Sequence, residues 1–179
     1  MLWPFNCFRK PRAPSRGTIE AIYGMIVAQA REPLFYQALG VPDTVNGRFD
    51  MVLLHLWMVF RRLKPADGEG LSQALFDHFC SDMDANLREM GVGDLTVPKR
   101  MQAFGEAFYG RSAAYDRAIE LGSEPMAQAL NKNIYGGQNI ESARRLAAYT
   151  SDAIGALAGS DEAALIAGTL RFPAPLALT

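Results

Sequence analysis

The spacing of apolar residues in the middle of the chain is the feature that most limits what it can fold into. Five apolar residues follow one another at intervals of four, three, four and three: Phe76, Cys80, Met83, Leu87 and Met90. An α-helix places residues spaced in this way on one face, because it has about 3.6 residues per turn. Gly91 follows directly, and glycine is the residue that most readily adopts the left-handed conformation of a helix end. The segment therefore predicts an amphipathic helix that ends at Gly91.

Helical spacing recurs along most of the chain, and no strand-like alternation lasts more than a few residues. Helix starts are predicted at or just after Thr18, Glu32, Asn46, Thr96, Ser123 and Ser160, and a further helix is marked by Ile140, Ala147, Ile154 and Leu157. The predicted core contains Phe49, Leu53, Leu56, Phe60, Phe76, Met83, Leu87, Met101, Phe104 and Ile119. The pattern predicts an all-α fold, a single helical domain of roughly seven or eight helices with short connections. We expect this domain to span residues 17–169, between a tail at 1–16 and an extended segment at 170–179.

Composition excludes several classes of protein. The chain has 179 residues, 49% of them hydrophobic, and a net charge of −1. A nearly neutral chain has no overall field that would recruit nucleic acid. Its two cysteines, Cys7 and Cys80, do not suggest a disulfide framework and fit a reducing cytosol. No stretch approaches the roughly 18 uncharged apolar residues that a transmembrane helix needs.

The first sixteen residues combine aromatic and basic side chains. The residues concerned are Trp3, Phe5, Phe8, Arg9 and Lys10. Aromatic rings favour the headgroup region of a bilayer, and basic residues are attracted to anionic lipids. One interpretation is therefore peripheral contact with a membrane, and the other is a disordered tail rich in proline and arginine. The apolar part precedes the basic part, which is not the order of a signal peptide.

A search for catalytic or metal-binding residues identifies one candidate cluster, DHFCSDMD at residues 77–84. His78 and Asp82 are four residues apart, as are Cys80 and Asp84, so each pair could converge on an ion. The two pairs lie on different helix faces, about 200° apart. The other histidine, His55, lies on an apolar helix and fits a buried, hydrogen-bonded side chain better than a base. We therefore predict no metal site, no cofactor and no catalytic residue.

Polar and aromatic residues around the junction near residue 93 form the candidate binding surface. They are Arg88, Asp94, Lys99, Tyr109, Arg111 and Tyr115. Phe108 and Tyr109 are adjacent, and about 100° of helical rotation separates them, so both cannot point at one core. Glycine inside a helix lowers stability by about 1 kcal/mol relative to alanine. Close approach of another backbone would explain why Gly110 occupies this position. The alternative is structural, with Asp94 or Thr96 capping the next helix and Arg111 pairing with an acid.

Residues 75–119 resemble the ubiquinol–cytochrome c chaperone family. The resemblance rests on Asp82-Met83-Asp84, on residues 87–94, on Val97-Pro98-Lys99, and on Phe108-Tyr109-Gly110-Arg111 followed by Ala114-Tyr115. Upstream, His55 with Trp57 and the run Arg61-Arg62-Leu63 are also similar to the family. The resemblance is specific over about residues 45–120 and absent from both ends of the chain.

The resemblance implies a helical, non-enzymatic chaperone that binds newly made cytochrome b for assembly of the cytochrome bc1 complex. It implies a bacterial member that works in the cytoplasm, near the cytoplasmic face of the inner membrane. The client surface would contain Arg88, Asp94, Lys99, Tyr109, Arg111 and Tyr115. The alternative function is a small helical enzyme or haem-handling protein that uses His55 or His78 with the acidic cluster.

Overall fold

The computed structural model describes residues 15–63, 70–160, 164, 167, 169 and 171–175. Within these residues the chain forms seven α-helices and no strand, which confirms the all-α prediction. The helices are α1 (Arg16–Ala30), α2 (Pro33–Gln37), α3 (Val45–Leu63), α4 (Gly70–Glu89), α5 (Val97–Leu121), α6 (Ser123–Ile134) and α7 (Ile140–Ala158). Residues 1–14 of the predicted tail at 1–16, and most of the predicted last helix that begins at Ser160, lie outside these residues.

Helix α3 is the centre of the fold. All residues from Met51 to Val59 are buried, so this helix is covered on every face. It packs against α1, α4, α5, α6 and α7. Helices that are apolar all round are found in protein interiors, and the run MVLLHLWMV contains one polar residue, His55. The sequence predicts a single apolar stripe on α3, whereas the structure buries its whole circumference.

Four of the other helices form two hairpins beside α3. Helices α6 and α7 pack along each other more extensively than any other pair, and each buries a small residue, Ala127 on α6 and Ala143 on α7. Arg62 of α3 ties down the end of α7, because its guanidinium donates to the carbonyl oxygens of Leu157 (3.0 Å) and Ser160 (2.9 Å). Helices α4 and α5 form the second hairpin, joined by a short connection that we call the elbow (residues 90–96).

Several helix ends differ from the sequence prediction. Ser15, not Thr18, caps α1, and its side chain accepts a hydrogen bond from the Thr18 backbone N–H. Gly122, not Ser123, is the cap residue of α6, and it provides no side-chain bond. Thr96 occupies the cap position of α5 without a side-chain hydrogen bond. Gly91 has a φ of 79°, as expected of a glycine that ends a helix.

The predicted core is correct for α3 and less so for α5. Leu53, Leu56 and Leu87 are fully buried, and five more of the predicted residues pack partly buried against the core: Phe49, Phe60, Phe76, Met83 and Ile119. Met101 and Phe104 are also only partly buried.

The C-terminal segment returns to the core. Residues 171–175 have no regular secondary structure. The Phe172 ring contacts the His55 ring edge-on at 5.0 Å, and the Pro173 carbonyl accepts a hydrogen bond from Gln29. None of the described helices is long and apolar enough to cross a bilayer.

Two glycines provide a matched test of the packing. A Cβ atom at Gly47 would lie 2.0 Å from the Pro42 carbonyl oxygen, whereas one at Gly24 would meet nothing within 4 Å. We expect Gly47→Ala to lower the free energy of unfolding by about 1–3 kcal/mol, because backbone must move to relieve the clash. Gly24→Ala should raise it by up to about 1 kcal/mol, through helix propensity. Urea unfolding followed by circular dichroism measures both, and an unchanged Gly47→Ala protein would contradict this packing.

Candidate functional site

A groove of about 550 Å³ opens between α3, α4 and α5. Its lining consists of Trp57, Phe60, Ser72, Gln73, Phe76, Phe108, Tyr109 and Ser112, none of which is charged. We call it the aromatic groove. Trp57 and Phe108 are buried and form its floor, whereas Gln73 and Tyr109 are exposed at its edges. The arrangement is an apolar hollow with a polar rim, which is typical of surfaces that bind proteins.

Local helix geometry explains why these rings meet. Phe108 and Tyr109 diverge as predicted, because Phe108 is buried and Tyr109 is 63% exposed. The Phe76 ring on α4 contacts both of them, with centroids 5.3 Å and 5.7 Å away. Phe60 meets Phe108 edge-on at 5.5 Å. Aromatic pairs in such tilted or edge-on geometry stabilise one another beyond the area that they bury.

The wall of α5 is held to α3 by a buried ion pair. An Oδ1 of Asp50 lies 2.7 Å from the Nη2 of Arg111, and the two side chains are mostly buried. The distance is that of a close ion pair, yet no N–H of the guanidinium is aligned with Oδ1 for a hydrogen bond. Burial raises the pKa of Asp50 to about 6, and the positive charge of Arg111 only partly opposes this rise.

Three further buried polar atoms, one of them on Arg111 itself, have no hydrogen-bond partner among the described residues. They are the Nε of Arg111, the Oγ of Ser112 and the hydroxyl of Tyr115. Buried polar atoms are normally paired, so a cluster of unpaired ones is unusual. One of them, Ser112, also lines the aromatic groove. The Oγ of Ser112 itself has less than 1 Å² of accessible surface, so this hydroxyl is buried below the surface of the groove.

The predicted client-binding residues separate into exposed and buried sets. Arg88, Asp94, Lys99 and Tyr109 are exposed. Tyr115 is fully buried, so it belongs to the core and not to the binding surface. Its ring packs against Trp57, with centroids 5.3 Å apart. Sequence spacing contains a signal for this outcome, since Tyr115 lies seven residues after the buried Phe108 and shares its helix face.

Electrostatic pairing explains the role of the arginines. Arg88 bonds Asp84 at 2.7 Å, one turn earlier on α4, and also contacts Asp94. Asp94 therefore braces the elbow and does not cap α5. Arg111 pairs with Asp50 of α3. This is the ion pair that the structural alternative predicted for Arg111. The tip of the elbow still exposes apolar side chains, because Leu95 is 98% and Met90 is 61% exposed.

His55 is fully buried and both of its ring nitrogens are bonded. Nδ1 donates to the Met51 carbonyl oxygen (2.8 Å), and Nε2 accepts from the Tyr149 hydroxyl (2.9 Å). Gln29 in turn donates to Tyr149 at 3.1 Å. Burial lowers the pKa of His55 to about 4, so the ring is neutral near pH 7. Because the ring is buried and neutral and both of its nitrogens are hydrogen-bonded, neither nitrogen is available as a base or as a haem ligand.

Side chains of the DHFCSDMD segment are engaged in packing and hydrogen bonds. Asp82 accepts from the Tyr23 hydroxyl at 2.7 Å, and the Tyr23 ring contacts His78. Cys80 packs against the core, and burial raises the pKa of its thiol. Among the described residues, no three metal-ligating side chains come together. The segment thus joins α4 to α1.

Comparison with known proteins identifies the family. The sequence model described as "Ubiquinol-cytochrome C chaperone" matches residues 37–172, which include α3 to α7. This chain belongs to the ubiquinol–cytochrome c chaperone family. The family description is that of a chaperone, which agrees with the prediction of a non-enzymatic protein. The matched segment reaches Phe172, the residue that packs against His55.

Curated relatives of this family member are mitochondrial or vertebrate proteins. It is 27% identical over 106 residues to ubiquinol-cytochrome-c reductase complex assembly factor 1 of Xenopus laevis, over 58% of this chain and 53% of the relative. It is 29% identical over 113 residues to the mitochondrial protein CBP3 of Saccharomyces cerevisiae, over 60% of this chain and 34% of the relative. The chain thus spans about half or less of the length of these relatives.

A solved structure has the same fold over nearly the whole chain. The crystal structure of the Cbp3 homolog from Brucella abortus superposes with a TM-score of 0.80 at 35% sequence identity. The match covers 89% of this chain and 90% of that chain. The helical arrangement around α3 is therefore shared within the ubiquinol–cytochrome c chaperone family.

The buried carboxyl group predicts a pH dependence of stability. The pKa of Asp50 is about 6 in the folded chain, against about 3.9 for an unfolded aspartate. Between those values the folded state binds more protons, so the contribution of Asp50 to stability falls as pH rises from about 4 to about 6. We expect the stability of the wild type relative to Asp50→Asn to decrease across this range. Urea unfolding of both proteins at several pH values measures it, and a constant difference would contradict the assignment.

Proposed function

We propose that this chain is an assembly chaperone of the ubiquinol–cytochrome c reductase (bc1) complex, and that its client is newly made cytochrome b. The proposal extends to this chain the role stated in the name of its Xenopus laevis relative. The observation that carries it is the exposed aromatic Tyr109 at the edge of an uncharged aromatic groove. An exposed apolar hollow of this kind suits a hydrophobic client better than a small polar substrate.

We place the client surface on the exposed members of the predicted set, Arg88, Asp94, Lys99 and Tyr109. These side chains lie on the α4–α5 hairpin, where the core covers the helices least. Arg111 supports this surface from behind through its ion pair with Asp50. The proposed function involves no cofactor, no catalytic residue and no nucleic acid.

Gly110 supports the same placement. A Cβ atom at this position would meet nothing within 4 Å, so no neighbouring helix among the described residues requires a glycine here. The helix nevertheless forgoes about 1 kcal/mol that alanine would provide. Close approach of a client backbone beside Tyr109 would account for a glycine at this position.

The client surface can be tested by co-purification of cytochrome b with the tagged protein. Tyr109→Ala and Lys99→Glu should each reduce co-purified cytochrome b severalfold without lowering the melting temperature, because both side chains are exposed. Leu121→Ala and Arg117→Glu are the matched controls, since they alter exposed residues of the same helix away from the groove. Arg111→Ala should lower the melting temperature, because it leaves Asp50 buried without a counter-charge. Normal co-purification by both Tyr109→Ala and Lys99→Glu would refute this surface.

We also propose that the N-terminal residues keep the protein near the cytoplasmic face of the inner membrane. The residues concerned are Trp3, Phe5, Phe8, Arg9 and Lys10, which lie outside the described residues. Aromatic and basic side chains together favour the surface of an anionic bilayer. Helix α1 begins at Arg16 with Ser15 as its cap, so the segment that can be removed without disturbing α1 is 1–14.

Vesicle binding tests the membrane proposal. Deletion of residues 1–14 should reduce co-sedimentation with anionic vesicles, most strongly at low salt, because the attraction is screened over a Debye length of about 10 Å at 0.1 M salt. Binding to neutral vesicles serves as the control for non-electrostatic adsorption. The melting temperature should hardly change, because the cap of α1 is retained. Equal binding by the deleted and complete chains would remove the membrane role from this segment.

A further inference from the structure

The C-terminal residues 171–175, which we call the strap, lie against the core beside His55. Phe172 is partly buried, and its ring meets the His55 ring edge-on at 5.0 Å. Pro175 is buried as well. The strap has no regular secondary structure, so no helix or sheet hydrogen bonds hold it. Its position therefore depends on contacts with the side chains beneath it.

A chain of hydrogen bonds fixes the direction of the polar contact to the strap. His55 Nδ1 donates to the Met51 carbonyl oxygen, so the neutral ring accepts at Nε2 from the Tyr149 hydroxyl. The Tyr149 oxygen in turn accepts from the Gln29 amide at 3.1 Å. The same amide nitrogen donates its second hydrogen to the Pro173 carbonyl oxygen at 3.1 Å. The core thus presents a donor to the strap, and only an acceptor can pair with it.

Aromatic rings form the apolar part of the contact. His55 meets Phe35 and Tyr149 with centroids 5.4 Å and 5.7 Å away, and Phe35 meets Tyr149 at 4.9 Å. Phe172 adds one more ring at the edge of this cluster. Aromatic-lined surfaces are the usual way in which proteins hold extended proline-containing peptides. We call Gln29, Phe35, His55 and Tyr149 together the strap site.

The sequence of the strap suits this site. Residues 172–175 read Phe-Pro-Ala-Pro. Proline fixes its own φ and disfavours helical backbone in the residue before it, so Phe172 and Ala174 are both biased toward extended conformations. A peptide that is already restricted in this way loses less conformational entropy on binding. Proline also has no N–H, so Pro173 offers Gln29 an acceptor without a competing donor.

We propose that the strap site is a binding site for an extended peptide in which an aromatic residue precedes proline, and that residues 172–175 of this chain occupy it in cis. Gln29 recognises the proline carbonyl, and the aromatic cluster holds the preceding ring. Chain ends open locally at low free-energy cost, so the strap exchanges with a segment of the same chemistry from a partner protein. This inference goes beyond the proposed function, because the strap site shares no residue with the aromatic groove.

Trypsin measures the opening of the strap in the complete chain. Arg171 is exposed and directly precedes Phe172, so cleavage there releases residues 172–179 whenever the strap leaves its site. When opening and closing are fast, the cleavage rate follows the population of the open state. Mass spectrometry of the released peptide gives this rate. The cleaved bond is the same in every variant below, because none of them changes residues 171–179.

Substitutions of Gln29 test the hydrogen bond to the strap. Gln29→Leu removes the donor, and we expect it to speed release about fivefold, the effect of one neutral hydrogen bond. Gln29→Glu should speed release further, because a carboxylate oxygen would then face the Pro173 carbonyl oxygen. Gln37→Leu, at an exposed glutamine of α2, is the control and should leave the rate within twofold. Release from Gln29→Leu at the wild-type rate would overturn the proposal.

Two tyrosines separate the hydrogen-bond chain from general stability. Tyr149→Phe breaks the chain between His55 and Gln29, whereas Tyr135→Phe removes a hydroxyl that donates to the Leu39 carbonyl oxygen at 2.9 Å. Both should lower the melting temperature, because each loses a hydrogen bond. Only Tyr149→Phe should speed release severalfold, since the Gln29 amide then loses the contact that orients it. Equal acceleration by both variants would assign the release to global unfolding and refute the role of the chain.

A free peptide tests the exchange. A capped Phe-Pro-Ala-Pro peptide is added to the wild type at roughly ten times the millimolar effective concentration that is typical of a tethered segment. It should speed release severalfold, whereas Ala-Pro-Ala-Pro should not. Unchanged release with Phe-Pro-Ala-Pro would overturn the peptide site. Faster release on dilution of the protein would show that a second copy provides the strap, which would overturn occupancy in cis.

Discussion

The burial of α3 on all sides is the constraint on which the rest of the structure depends. A helix whose residues 51–59 are all buried needs helices around its whole circumference, and α1, α4, α5, α6 and α7 provide them. Polar groups on such a helix cannot reach water and need partners from neighbouring helices. Asp50 meets Arg111 of α5, and His55 meets Tyr149 of α7. The polar residues of the central helix thus fix which helices lie beside it.

The same arrangement explains where a binding surface can form. Helices α6 and α7 pack extensively against each other, whereas α4 and α5 pack less extensively and contribute aromatic rings to the lining of the aromatic groove. The ion pair between Asp50 and Arg111 anchors one wall of this groove to the core. A rigid support behind an exposed apolar surface lowers the entropic cost of binding, because the surface does not need to be ordered first. Stability and the proposed client binding therefore depend on the same helix.

The local sequence predicted which residues of the proposed binding surface are exposed, but not which distant residues pair with its arginine. The divergence of Phe108 and Tyr109 follows from helix geometry alone, and it correctly leaves Tyr109 exposed. The partner of Arg111 could not be predicted, because Asp50 lies 61 positions earlier in the sequence and hydropathy patterns carry no signal of such pairs. Tyr115 was expected at the client surface and is buried, because α3 covers that face of α5.

The sequence by itself determined the all-α class, the approximate positions of seven helices, the glycine that ends α4 and the resemblance that identifies the family. These properties depend on intervals of three and four residues and on short motifs, which are local. Tertiary structure alone decided that α3 is buried on all sides and that both ring nitrogens of His55 are hydrogen-bonded. It also decided that Trp57, Phe76 and Ser112 line one groove. Those relations join residues on different helices, and they depend on the angle and distance at which whole helices pack, which local spacing does not specify.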